Sequence, residues 1–129
     1  MPTILHIEDD LEHRVMMRAM LKKTKITLVE AADGQEALRK IWGQPLDLIL
    51  LDLFLPHVDG FSVMEAIKSN PETSHVPIII LSAWPTGDNR ARAKKAGASY
   101  FVAKPYNHNK LVRLINKVLT AKSTRLVEP

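Results

Sequence analysis

Cysteine is absent from the 129 residues, and with it go disulfide scaffolds, thiol nucleophiles and cysteine-based zinc sites. No apolar stretch approaches the ~20 residues that a bilayer-crossing helix needs. The opening MPTILHIEDD has no basic segment leading into an apolar core, so it does not read as a secretory leader and the chain is expected to be cytoplasmic. Internal repeats, low-complexity tracts and a second domain are also missing. The excess of positive over negative charge is small too. The net charge of +4 is modest, and Lys and Arg recur along several predicted helices, which reads as solvated faces rather than a nucleic-acid footprint. What remains is one domain, expected over residues 1–120 with a tail over residues 121–129, long enough to bury roughly two-thirds of its unfolded surface.

The most informative stretch runs from Leu46 to Gly60, LDLILLDLFLPHVDG. Asp47 to Leu51 has the length and near-continuous apolarity of a strand covered on both faces, as in parallel sheets flanked by helices. Asp52 then puts a carboxylate at the edge of that run. Pro56 and the Asp59-Gly60 pair break the chain and restart it as a helix, so Leu53 to Val58 reads as a strand-to-helix loop, where open α/β sheets place their ligands.

Read in order, short apolar runs alternate with longer stretches of helical period. Thr3 to Ile7 predicts a strand and Leu11 to Lys23 a helix, with Leu11, Val15, Ala19 and Met20 on one face. Ile26 to Glu30 is the second strand. Asp33 with Glu36 forms a capping-box pattern for a helix reaching about Trp42, stopped by Gly43 and Pro45. Leu46 to Leu51 is the third strand and Gly60 to Ser69 the third helix, ended by Asn70-Pro71. Pro77 to Leu81 is the fourth strand, followed by a helix from about Asp88 to Ala96 that Gly97 caps. Tyr100 to Ala103 belongs to the fifth strand, and Asn107 caps a last helix with Leu111, Leu114, Ile115, Val118 and Leu119 on its apolar face. Five strands alternating with five helices predict a three-layer α/β sandwich around a parallel five-stranded sheet.

In such a sheet the ligand crevice lies beyond the carboxyl ends of the strands. The residues leaving each apolar run therefore belong to one candidate site: Glu8, Asp9 and Asp10 from the first strand, Asp52 from the third, Ser82 from the fourth and Lys104 from the fifth. Two carboxylates about 4 Å apart repel by roughly 4 kcal/mol at an effective dielectric near 20, which calls for a cation. All available ligands are oxygens, which suits Mg²⁺, with Mn²⁺ or Ca²⁺ also compatible. A hard cation beside a carboxylate, a hydroxyl and a lysine is a phosphoryl-transfer arrangement. Asp52 would be the nucleophile, Lys104 would neutralise the incoming charge, and Ser82 would donate a hydrogen bond to a phosphoryl oxygen.

Residues 2–119 resemble the receiver domain of two-component response regulators, a flavodoxin-like family. The resemblance rests on Ile7-Glu8-Asp9-Asp10, on Asp52 with Pro56 four and Gly60 eight residues on, on Ser82-Ala83, and on Ala96 to Ser99 followed by Lys104-Pro105. It implies a (βα)5 fold with strand order 2-1-3-4-5. It implies Asp52 as phosphoacceptor, and a Mg²⁺ site of Glu8, Asp9, Asp52 and the backbone carbonyl of Phe54. Ser82 and Lys104 would bind the phosphoryl group, Phe101 would stand at the switch-aromatic position, and the Lys104-Pro105 bond would be cis. The donor would be a sensor histidine kinase or phosphotransfer protein. The output would be a changed surface, on the face of the fourth helix, fifth strand and fifth helix, for a downstream protein or a second copy. The domain would be a phosphoacceptor rather than a classical enzyme, without nucleic-acid or membrane binding. Glu8 stands where Asp is more usual, and Phe101 has no hydroxyl where the family often has tyrosine.

Each residue also has an ordinary structural reading. Asp10 is well placed to cap the first helix rather than to bind metal. His6, inside a predicted strand, reads as a satisfied core or edge histidine. His57, His75 and His108 carry no metal-ligand spacing. Trp84 and Phe54 flank the site; Trp84 is either a hydrophobic lid or a gate that restricts hydrolytic water. A haloacid-dehalogenase-type phosphatase needs a second Asp where Phe54 stands, and an FMN carrier needs a phosphate-cradling loop where Glu8, Asp9 and Asp10 stand. Two alternatives stay open: a pseudo-receiver that binds without phosphorylation, and a receiver fragment of a larger DNA-binding regulator.

Overall fold

The computed structural model describes residues 1–127, with side chains described through residue 121. Its elements follow in strict alternation: β1 (Thr3–Ile7), α1 (Leu11–Leu21), β2 (Thr27–Ala31), α2 (Gly34–Ile41), β3 (Leu48–Asp52), α3 (Gly60–Ser69), β4 (Ile78–Ser82), α4 (Gly87–Lys95), β5 (Tyr100–Ala103) and α5 (His108–Val127). The strands form one sheet in the order β2-β1-β3-β4-β5, and every neighbouring pair is parallel. This is the flavodoxin-like architecture, with β3 at the centre.

Alternation along each central strand divides the core between the two faces of the sheet. Leu48 and Leu50 of β3, with Ile79 and Leu81 of β4, pack with Met17 and Leu21 of α1 and Leu111, Ile115 and Val118 of α5. Ile49, Leu51, Ile78 and Ile80 pack on the other face with Ala37 and Ile41 of α2, Val63, Met64 and Ile67 of α3, and Ala93 of α4. Fully burying one such Leu or Ile contributes about 1.5–3 kcal/mol. A strand covered on both sides has no polar position to spare, which explains the unbroken apolarity of residues 48–51.

The helices begin at capping side chains. Asp10 accepts from the amides of Glu12 (2.8 Å) and His13 (3.3 Å), Asp33 from Glu36 (2.8 Å), Asp59 from Ser62 (2.9 Å) and Asn107 from Lys110 (3.0 Å). The start of α4 differs from the sequence expectation: Thr86 caps it through the amide of Asn89 (3.1 Å), so the helix begins at Gly87. The last helix also differs. It continues through residue 127, into the span read as a tail from residue 121, because no Gly or Pro interrupts residues 106–128. Residues 128 and 129 of that span lie outside the described residues.

His6 corrects another expectation. It is buried at 1% exposure, but its Nδ1 has no hydrogen-bond partner among the described residues. Burial, followed by the nearby Lys104 charge, holds its pKa down at about 4. It is a core histidine kept neutral, not a satisfied one.

Candidate phosphoryl and metal site

The carboxyl ends of β1, β3 and β5 converge on one acidic cavity. Asp52 closes β3 and pairs in register with Leu81 of β4. The backbone immediately after it is held by Gly60, whose amide donates to the Leu53 carbonyl at 2.7 Å. A Cβ on Gly60 would lie 2.6 Å from the Leu53 Cα and 2.9 Å from the Asp52 carbonyl oxygen, so only glycine allows this approach. The loop between β3 and α3 turns at His57, which takes a left-handed φ of 69°, a region where His is tolerated better than most residues.

The turn between β1 and α1 is fixed by Arg14, whose guanidinium donates to the carbonyls of Glu8 (2.8 Å) and Asp9 (3.0 Å). With Asp10 engaged as a cap, Glu8 and Asp9 are the carboxylates left to face Asp52. Glu8, Asp9 and Asp52 each present a ligand oxygen within 4.8 Å of the others. Glu8 is 1% exposed. Lys104 reaches in from the end of β5: its Nζ donates to Glu8 Oε1 at 2.5 Å and to Asp52 Oδ2 at 3.2 Å. Its amide donates to the Ser82 carbonyl at 2.8 Å, and the Lys104-Pro105 peptide is cis. Asp52 Oδ1 accepts from the Phe54 amide at 3.0 Å.

Three carboxylates thus gather where one ammonium is at hand, and it contacts two of them, Glu8 and Asp52. Burial, and then the hydrogen-bonding contact with Asp52, push the Glu8 pKa up to about 7. For Lys104 burial acts against the charge, but the Glu8 and Asp52 carboxylates outweigh it and raise the pKa. A carboxylate so disfavoured is a group short of positive charge. The donor set is all oxygen, with an excess of negative charge that a divalent cation balances, and it fits a hard cation such as Mg²⁺.

Around this cluster is a cavity of about 200 Å³, lined by Glu8, Asp9, Asp52, Lys104, Phe54 and Trp84 among others. Phe54 and Trp84 meet edge to face, with ring centroids 6.5 Å apart and an interplanar angle of 81°. Two predicted site residues stand back from it. Ser82 is fully buried, and its Oγ accepts from the Trp84 amide at 3.0 Å. Phe101 is half-buried against the α2–α4 side of the core, with the Arg90 guanidinium 4.8 Å from its ring centre. Sequence reasoning missed His13, whose Nδ1 lies 3.1 Å from Glu8 Oε1 and 3.2 Å from Lys104 Nζ. The signal was available: a cap at Asp10 makes His13 the third helical residue, whose side chain reaches back over the helix start.

The comparisons with known proteins agree with this geometry. The family model of the response regulator receiver domain matches residues 4–116. The chain is 35% identical over 101 residues to a gliding motility regulatory protein of Myxococcus xanthus, covering 78% of this chain and 13% of that protein. Across three curated relatives, that one included, the chain spans 13%, 27% and 22% of their lengths. Among solved structures, the chemotaxis protein CheY4 of Vibrio cholerae superposes with a TM-score of 0.86 at 27% identity, covering 92% of this chain and 98% of that one. The receiver domain of the sensor histidine kinase PA1611 of Pseudomonas aeruginosa superposes with a TM-score of 0.85 at 31% identity, with the same coverage of 92% and 98%; that structure has a magnesium ion coordinated in its active-site cleft. The sheet order, the acidic cluster under Lys104 and these matches lead to one conclusion: the chain belongs to the response regulator receiver domain family of two-component signalling.

Proposed function

We propose that Asp52 is the phosphoacceptor of this domain. A carboxylate oxygen of Asp52 attacks the phosphorus of a phosphohistidine on a sensor histidine kinase or phosphotransfer protein. The new P–O bond forms as the P–N bond breaks, and the departing imidazole regains a proton. Glu8, Asp9, Asp52 and the Phe54 carbonyl would hold Mg²⁺, or Mn²⁺ in its place, which would supply positive charge to the phosphoryl oxygens. The observation that carries this reading is the gathering of ligand oxygens of Glu8, Asp9 and Asp52 within 4.8 Å of one another, with the Lys104 ammonium on two of them, Glu8 at 2.5 Å and Asp52 at 3.2 Å.

The remaining residues act around that step. Lys104 turns from Glu8 to a phosphoryl oxygen. Ser82 exchanges the Trp84 amide for a phosphoryl oxygen, which draws the loop between β4 and α4 inward. Phe101 follows by leaving the Arg90 guanidinium and turning toward the space that Ser82 vacates. The output surface is the face of α4, β5 and α5, where Arg90, Lys94, Lys95, Lys110 and Arg113 suit an acidic protein partner or a second copy; Arg92, expected on that face, instead lies over Phe61 of α3, 3.9 Å from its ring centre. Phe54 and Trp84 close over the acyl phosphate and slow its hydrolysis. On this reading residues 1–120 form a cytoplasmic signalling domain, a phosphoacceptor rather than a classical enzyme. No helix among the described residues is long and apolar enough to cross a membrane.

The test uses phosphoramidate, a P–N donor, with ³¹P NMR detection of an acyl phosphate in the presence of MgCl₂, MnCl₂ or EDTA. The expected result is a signal with either metal and none with EDTA. A metal-independent signal, or none in any condition, contradicts the proposal.

A further inference from the structure

We propose that His13 is a positioning residue of this site: in the tautomer with its proton on Nδ1, that N–H donates to Glu8 Oε1, 3.1 Å away, rather than Nδ1 accepting from the Lys104 ammonium at 3.2 Å, and so fixes the orientation of that carboxylate beside Asp9 and Asp52. The inference rests on the metal-site reading above. Glu8 needs such a partner because it is nearly inaccessible to solvent and carries a longer, more flexible arm than aspartate. Among the described residues Lys104 Nζ and His13 Nδ1 meet its Oε1 and the amide that reaches Oε2, from Asp10, is distant at 3.4 Å; Asp52, the other close group, is itself a carboxylate that disfavours the charged form. Lys104 divides its donors between Glu8 and Asp52 and leaves Glu8 when it moves to a phosphoryl group. His13 is the donor that stays.

The backbone places the imidazole for this role. The Asp10 cap accepts from the His13 amide, and Arg14, the next residue along, clamps the Glu8 and Asp9 carbonyls. His13 is therefore tied to the β1–α1 turn from both sides. It does not join Glu8, Asp9 and Asp52 in the group of mutually close ligand atoms, so it acts through Glu8 and not on the cation.

Thermal midpoints across a MgCl₂ titration provide the test, since a ligand that binds the folded state raises the midpoint according to its affinity. His13→Leu is expected to need about tenfold more MgCl₂ for the same rise, the scale typical for removal of a group that orients a metal ligand. His13→Gln, whose amide can donate to Glu8, is expected to recover most of the loss. In a Glu8→Asp background the shortened arm no longer reaches Nδ1, and His13→Leu should then have no further effect. Identical titrations for wild type and His13→Leu overturn the inference, as does an equal loss in both backgrounds. A wild type that ignores MgCl₂ overturns the metal site and this inference together. A normal titration without phosphoryl uptake overturns only the phosphoacceptor reading.

Discussion

Replacing Lys104 by Met isolates the electrostatics of the site, because the chain length is kept and only the ammonium is lost. In the metal-free protein this strands Glu8, 1% exposed, and Asp52, 12% exposed at the side chain. Breaking a buried pair by removing one partner costs about 3–5 kcal/mol when the remaining charge has no escape. Here an escape exists: Glu8 titrates at about 7 even with Lys104 present, and without it the pKa goes higher. The loss should therefore be about 3 kcal/mol at pH 8 and fall below about 1 kcal/mol at pH 5, where Glu8 takes up a proton. MgCl₂ at about 100 times its dissociation constant should return about 2.7 kcal/mol at pH 8. Urea unfolding in EDTA and in MgCl₂ at the two pH values measures all of this, with an unchanged slope guarding against a changed unfolded state. An equal loss at both pH values, or a Lys104→Met protein more stable than wild type at pH 8, would refute the reasoning.

Four further perturbations follow from the structure. The raised pKa of Glu8 means that metal-free stability falls as pH rises from about 4.5 to about 7, whereas the depressed pKa of His6 means that stability rises from about 4 to about 6.5. The two slopes oppose each other in wild type; in urea unfolding Glu8→Gln should leave only the rise, and His6→Leu only the fall. His6→Leu should also stabilise the protein by about 1 kcal/mol at pH 7, since it removes an unpartnered buried nitrogen. Gly60→Ala should cost about 1–3 kcal/mol, because its Cβ meets the Leu53 backbone at 2.6 Å, and it should slow phosphoryl uptake by shifting Asp52; full stability with full uptake contradicts this. Phe54→Asn with Trp84→Ala should speed loss of the phosphoryl group by about two- to tenfold, the equivalent of an aromatic pair worth about 0.5–1.5 kcal/mol; an unchanged rate of loss, followed by intact mass, contradicts the lid.

The parts of the fold that were legible in the sequence are those where one physical demand dominates. β3 and β4 are covered on both faces, so residues 48–51 and 78–81 are apolar throughout and their ends stand out as Asp52 and Ser82. Their carboxyl-edge position in a parallel sheet gathers Glu8, Asp9, Asp52 and Lys104 without any knowledge of side-chain contacts. What was not legible depends on several weak demands at once. Thr86 outcompetes a later start for α4 only because its hydroxyl meets the Asn89 amide. The end of α5 has no breaker residue to mark it. The Ser82 hydroxyl lies on the Trp84 amide, a local turn contact that spacing cannot distinguish from one made to a ligand. His6 sits in an apolar run that gives no sign of whether its ring nitrogens find partners. His13 was hidden because its role requires both the Asp10 cap and the longer reach of Glu8, and neither alone points to it.

Intact mass with peptide mapping reads out whether Asp52 carries the phosphoryl group. Wild type and Asp52→Asn are incubated with acetyl phosphate, with and without MgCl₂. A gain of one phosphoryl group is expected only with MgCl₂, only in wild type, and on the peptide that contains Asp52. An unchanged mass in wild type, or an equal gain in Asp52→Asn, would contradict it.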